Sequence, residues 1–398
     1  MRTFLLARFS MLFGRALVAA MLSYHLFLIT DSYAALGLLG LIEFLPVIPL
    51  SLLGGALADR FNRKMLLILT ASGSLVGAVF LTYLGARNPE SVTGLFSAAF
   101  GLAFINAFSR PAASALLPNL VPRRIFQNAS VVNSSVVQVA FISGPIAMGF
   151  LMSWGGFGAP YALAVLFYGL TIVFLSLLSV PESRGKRGDI SWQAVREGIS
   201  FVWNHQAILG SISLDMFAVI FAGATALLPV YADEILQVGP EGYGFLRSAM
   251  AMGTLAMAVI LMTVKPFERP GSALLVAVLL FGIATITFGC SRSMTLSIVA
   301  FIVAGMADQV SMTARSVILQ LSTPDSLRGR VSAVNFIFIG ASNELGDAES
   351  GFLASFTSAT FSVVSGGFAC LGVLGWVAFR MPELRNYRPG QVTTPSMK

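Results

Sequence analysis

The sequence predicts an all-α membrane protein with about twelve spanning helices in two related six-helix halves. Three observations carry that prediction. Apolar stretches of about 20 residues, each long enough to cross a bilayer, recur along the whole chain. Of the 398 residues, 56% are hydrophobic and only 11% charged, against roughly 25% charged in soluble domains. Finally, one short segment recurs about half a chain length later. Backbone groups in lipid must be satisfied internally, and the apolar runs lack the polar/apolar alternation of barrel strands, so the spans are read as helices.

Read in order, the spans cover 5–30, 33–58, 65–86, 91–116, 126–153, 157–180, 207–231, 240–264, 272–290, 294–317, 329–357 and 360–380. The first begins after Arg2 and Arg8 like a signal peptide, but Arg15 interrupts it and no small-residue cleavage site follows, so it reads as a retained helix. Residues 1–180 form the first half and 207–380 the second, followed by a cytoplasmic tail over 381–398. The linker, 181–206, is polar, and Trp192, Val195, Ile199 and Val202 recur in it at helical spacing. That spacing predicts an amphipathic helix on the membrane surface.

Charge sets the orientation. With both termini cytoplasmic, every one of the 25 Lys and Arg except Arg15, Arg87, Arg247 and Arg292 falls on the cytoplasmic side. That is the positive-inside pattern, and it accounts for the net charge of +7 without nucleic acid. Cys290 and Cys370 lie in apolar runs, and His25 and His205 stand far apart. Neither pair suggests a disulfide framework or a metal site.

The repeat pairs Pro122–Asn133 (PRRIFQNASVVN) with Pro324–Asn335 (PDSLRGRVSAVN), without gaps, at an offset of 202. Each follows an apolar span ending near a basic residue, Arg110 or Arg315. Two homologous halves are the architecture of a transporter that rocks about a shared hydrated chamber.

Ionisable residues inside spans are costly and usually face a cavity. Here they are Arg15, Glu43, Asp215, Asp308, Glu344, Asp347 and Glu349. Counted from the turn at Asp31, Arg15 and Glu43 differ in depth by about 6 Å. Glu43 is therefore either a structural partner of Arg15 or a coupling site. Glu344 and Asp347 are three residues apart and share a helix face. Two carboxylates that close in a poorly solvated cavity resist ionising together, which makes them the leading proton-coupling candidates. Asp308 follows, either in that role or paired with Arg315. Asp215 reads as a cap or vestibule lining and Glu349 as an outer vestibule charge. Asn106, Gln138, Asn335 and Asn343 offer polar cavity contacts or helix-to-helix hydrogen bonds.

Between spans two and three runs Gly55-Ala56-Leu57-Ala58-Asp59-Arg60-Phe61-Asn62-Arg63-Lys64. It resembles the signature loop of the major facilitator superfamily. Asn62 stands where the family has glycine, a change Asn allows because it tolerates a left-handed turn. The resemblance implies the major facilitator fold. It also implies a gating role for Gly55, Asp59, Arg60 and Arg63, with Arg110 as the partner of Asp59; a basic loop that only sets topology is the plainer reading. On span five, Gly144, Pro145 and Gly149 resemble the antiporter motif of drug and metabolite exporters, and equally describe a kinked, tightly packed helix.

Further stretches are similar to the enterobactin-exporter-like branch of the drug:proton antiporters: Tyr24–Thr30, Leu38–Pro46, Leu214–Tyr231 and Ala341–Gly351. The resemblance implies a monomeric exporter in a bacterial inner membrane. It would move a siderophore, a macrolide or another amphipathic small molecule against inward proton flow. An importer or facilitator, or a lipid flippase, on the same fold are the alternatives. No phosphate-binding Gly-Lys-Ser/Thr loop, ligand cluster or activated nucleophile suggests a cofactor, a nucleotide or an enzyme.

Overall fold

The computed structural model describes residues 1–46, 62–178, 192–324 and 327–389. Those residues form helices and no strand. Ten helices among them are long and apolar enough to cross a bilayer. Two more stand where spans two and eleven are expected. Tyr33–Phe44 is short and apolar, and Arg328–Phe356 is long but carries Arg328, Arg330, Glu344, Asp347 and Glu349.

By their contacts the helices fall into two compact units: Met1–Asp189 with Leu228–Ser248, and Ile190–Leu227 with Ala249–Lys398. The first holds α1 (Arg2–Thr30), α2 (Tyr33–Phe44), α3 (Arg63–Arg87), α4 (Val92–Leu120), α5 (Phe126–Gly155) and α6 (Gly158–Ser176). Its most buried helix is α1, which packs on α5 and α6, while α3 packs on α4 and α6. Small residues allow these approaches. A Cβ at Gly14 would stand 3.2 Å from the Tyr168 ring, and one at Gly144 would stand 2.8 Å from the Ala16 Cβ.

The second unit holds the amphipathic α7 (Trp192–Trp203), α8 (Gln206–Ala222), α10 (Pro270–Cys290), α11 (Met294–Ser322), α12 (Arg328–Phe356) and α13 (Ala359–Arg380). Between α8 and α10 comes α9 (Gly239–Thr263), whose first part belongs to the first unit. In the second unit α8 packs on α12 and α13, and α10 packs on α11 and α13. These pairings repeat those of α1 with α5 and α6, and of α3 with α4 and α6. A Cβ at Gly305 of α11 would collide with the Met250 carbonyl of α9, and Thr254 of α9 donates to the Gly305 carbonyl at 3.2 Å.

The repeated segment adopts one local structure twice. Ile125 N–H bonds the Pro122 carbonyl at 3.1 Å, and Leu327 N–H bonds the Pro324 carbonyl at 2.9 Å. The next residues, Phe126 and Arg328, open α5 and α12. A turn with the same bond and the same helix start, one offset apart, is the structural form of the internal repeat.

Two expectations need adjustment. Span seven, read as continuous over 207–231, is a helix only to Ala222. A 3-10 turn (Ala224–Leu227) and a π turn (Tyr231–Ile235) follow. Pro229 supplies no N–H, and Gly223 at φ −73°, ψ 71° turns the chain. The tail expected from 381 is packed over its first residues. Leu384 and Tyr387 are buried, and Ser322 Oγ donates to Tyr387 Oη at 2.8 Å.

The linker helix forms as predicted. Glu197 pairs with Arg330 of α12, and Val202 is buried while Ile199 is exposed.

Candidate functional site

The signature loop meets the described residues only at its end. Gly55, Asp59 and Arg60 lie outside them. Arg110 falls on α4 with its side chain likewise outside, and Arg63 opens α3 half-buried. Asn62 is not left-handed as expected. At φ −62°, ψ 115° it is extended and caps α3, its side chain accepting from Lys64 N–H and Met65 N–H at 3.0 and 3.3 Å. Asn suits this position because its carboxamide satisfies N–H groups that a first helical turn leaves unpaired. Lys64 then closes the end of α6, donating to the Ser176 and Leu178 carbonyls at 2.9 and 2.8 Å.

On α5, Pro145 sits inside the helix and the two glycines are contact points. Gly144 faces α1, as above. A Cβ on Gly149 would come within 2.5 Å of the Pro240 carbonyl, and one on Gly244 within 2.5 Å of the Pro145 carbonyl. Arg15 on α1 and Glu43 on α2 are half-buried, and both are engaged by neighbouring groups. Asn106 and Gln138 are half-buried on α4 and α5.

Four of the five acids expected inside the second unit's spans are held by a neighbour, and sequence spacing did not identify the right partners. Arg315 pairs with Asp215, not with Asp308. Asp215 is 6% exposed and Arg315 4%, so Asp215 is a buried half of an ion pair and not a vestibule lining. Ser311 Oγ adds a hydrogen bond to Asp215 at 3.4 Å. The separation of Asp215 and Arg315 along the chain conceals the pairing, whereas Asp308 and Arg315 share a helix and invite a false match.

Glu344 and Asp347 are both half-buried on α12. Thr225 Oγ1 donates to Asp347 at 2.8 Å, and Glu344 also has its polar contacts. Ser350 Oγ donates to Glu349 at 3.4 Å and to the Gly223 carbonyl at 3.2 Å. The break in α8 makes both sets of bonds possible. It frees the Gly223 carbonyl for Ser350 and brings Thr225 to Asp347. Broken helices of this kind build binding sites in transporters, because unwound backbone is tolerated only where protein or a cavity surrounds it.

A cavity of about 120 Å³ opens beside the break. Gly223, Thr225 and Asn343 border it, and its walls include Phe281, Phe288 and Phe301. Asp308 of α11 lines the same space. Among the described residues no hydrogen bond or ion pair reaches its carboxylate. The neighbouring polar groups are already committed. Thr225 serves Asp347, Thr285 serves the Phe281 carbonyl at 2.9 Å and Asn343 Nδ2 serves the Ile339 carbonyl at 3.0 Å. A charge in apolar surroundings without a counter-charge is costly, and taking up a proton removes that cost. Asp308 is therefore placed to exchange a proton or to meet a cation.

The first unit contains polar groups that the sequence reading passed over. Tyr24 and Tyr33 donate to Asp233 and Glu234 at 3.3 and 2.6 Å. Tyr243 stacks on Tyr24 with ring centroids 4.9 Å apart, donates to the Ala20 carbonyl at 3.0 Å and accepts from Arg247 at 2.9 Å. His25, fully buried, donates from Nε2 to the Pro89 carbonyl at 2.9 Å, with Nδ1 3.3 Å from Tyr161 Oη. It is a satisfied packing residue. No group of His, Cys, Asp and Glu among the described residues is arranged to hold a metal.

Comparison with known proteins fits this construction. The sequence profile of the Major Facilitator Superfamily matches residues 4–346. The enterobactin exporters EntS of Escherichia coli O1:K1 and of Escherichia coli strain K12 are each 26% identical over 347 residues. The alignment covers 86% of this chain and 82% of theirs. A POT family transporter crystallised with 5-aminolevulinic acid shares the fold at a TM-score of 0.76 and 13% identity, over 96% of both chains. A bacterial homologue of the human lysosomal transporter Spinster, inward-facing and occupied, does so at 0.70 and 17%, over 97% of this chain and 98% of that one.

Proposed function

The chain belongs to the Major Facilitator Superfamily, and from that premise we propose that it is a proton-coupled efflux transporter of an amphipathic small molecule. The coarser statement needs no proposal: it is a multi-pass membrane transport protein, not an enzyme. The observation that carries the finer one is Asp308, an unpartnered carboxylate facing a cavity beside a broken helix. The names of its relatives support export and make a siderophore the first substrate to try. The charge distribution supports a bacterial inner membrane with both termini cytoplasmic, and the protein works as a monomer.

The proposed cycle follows from electrostatics. A proton arriving from the outer side neutralises Asp308, and the neutral acid is at ease in its apolar surroundings. Release of that proton inward restores a charge that the cavity does not compensate. The two protonation states therefore favour different conformations, and a ligand that binds one of them shifts the population. Glu344 and Asp347, which sequence spacing ranked first, become supporting groups: Asp347 holds the broken end of α8 through Thr225. Asp59 and Arg110 keep the gating role that the family resemblance assigns them.

The test is transport in reconstituted vesicles with an imposed pH gradient, using enterobactin and a lipophilic cationic dye as probes. The expected result is probe movement coupled to counterflow of protons, lost in Asp308→Asn. Probe movement down its own gradient without proton flux would make the protein a facilitator.

A further inference from the structure

The geometry points to the Asp308 cavity as a subsite for a protonated amine carried on a small apolar group, such as an alkyl- or arylammonium head of a larger molecule. The inference rests on the proposed reading that Asp308 is charged in part of the cycle, and it adds what the charge is for. Three features of the cavity define its ligand.

The first is charge. Asp308 has no counter-charge, and the nearest cation along its own helix, Arg315, is spent on Asp215. An ammonium group would supply the missing partner, through a charge-assisted hydrogen bond in a poorly hydrated space. A carboxylate or a catecholate anion would meet repulsion instead.

The second is wall chemistry. Phe281, Phe288 and Phe301, with Met250, surround the acid, and Phe288 and Phe301 pack edge to face with centroids 4.4 Å apart. Aromatic rings and a thioether favour cations with apolar bodies over strongly hydrated ions. A hard metal cation would want several oxygen ligands, whereas the hydroxyl and amide groups of Thr225, Thr285 and Asn343 already serve other partners.

The third is size. At about 120 Å³ the space is close to the ~150 Å³ cavity known to take up a benzene ring. It admits one such group and not a whole siderophore.

The test is equilibrium binding to the full-length protein in lipid nanodiscs, using benzylamine, benzyl alcohol and benzoate, three probes of nearly equal shape. The expected order is amine, then alcohol, then carboxylate, with the amine favoured over the alcohol by about tenfold or more. Asp308→Asn should bring amine and alcohol to equal affinity. Ala304→Leu, which fills the cavity from its α11 wall, should weaken both. Equal binding of all three probes by the unaltered protein, or an amine preference that survives Asp308→Asn, would overturn the inference. A vesicle assay without proton coupling, alongside an intact amine preference, removes the proposed function and leaves this subsite standing.

Discussion

Asp215 and Asp308 lie in the same bundle and meet the same helix, α11, with opposite consequences. Asp215 reaches α11 at Arg315, and both members of that pair are almost completely buried. Seven residues earlier, about 10 Å along the axis, Asp308 faces a cavity with no partner among the described residues. One carboxylate has been made structural by a cation that cannot leave. The other has been left able to change its charge. An ionisable group inside a membrane is informative about function only after its partners have been counted.

The comparison predicts unequal mutational costs. Arg315→Met would strand a buried charge on Asp215 and should cost about 3–5 kcal/mol of stability. Thermal unfolding should show a large drop, mostly recovered by combining it with Asp215→Leu. Gly305→Ala comes next, because α11 carries both acids past the Met250 carbonyl and a methyl there forces the helices apart. Overpacking of that kind costs about 1–3 kcal/mol, read in the same unfolding assay. Thr225→Val removes the donor to Asp347 and should cost about 1 kcal/mol, with transport slowed but still proton-coupled. Asp308→Asn should change stability by no more than about 0.5 kcal/mol while abolishing proton-driven transport. A stability loss at Asp308 as large as that at Arg315 would erase the distinction between the two acids.

Much of the fold was legible in the sequence, for a physical reason. Lipid demands long apolar helices, so composition and span length fix where they lie, and the repeat at Pro122 and Pro324 marks equivalent helix starts. What failed depended on contacts between distant segments. The pairing of Asp215 with Arg315 has no periodicity to betray it. The break in α8 was signalled by Gly223 and Pro229, but hydropathy averages across such residues and read the span as continuous. Asn62 shows the same limit locally: its identity fitted either a left-handed turn or a helix cap, and only the backbone angles decide for the cap. The ranking of Glu344 and Asp347 above Asp308 rested on their spacing, and spacing does not reveal that Thr225 is waiting for one of them.

The central claim concerns the protonation of one side chain, and infrared difference spectroscopy of the purified protein across a pH titration reads it without any substrate. The account predicts a protonated-carboxyl band that disappears in Asp308→Asn and persists in Glu344→Gln and Asp347→Asn. A band that survives Asp308→Asn and vanishes in either of the other two would contradict it.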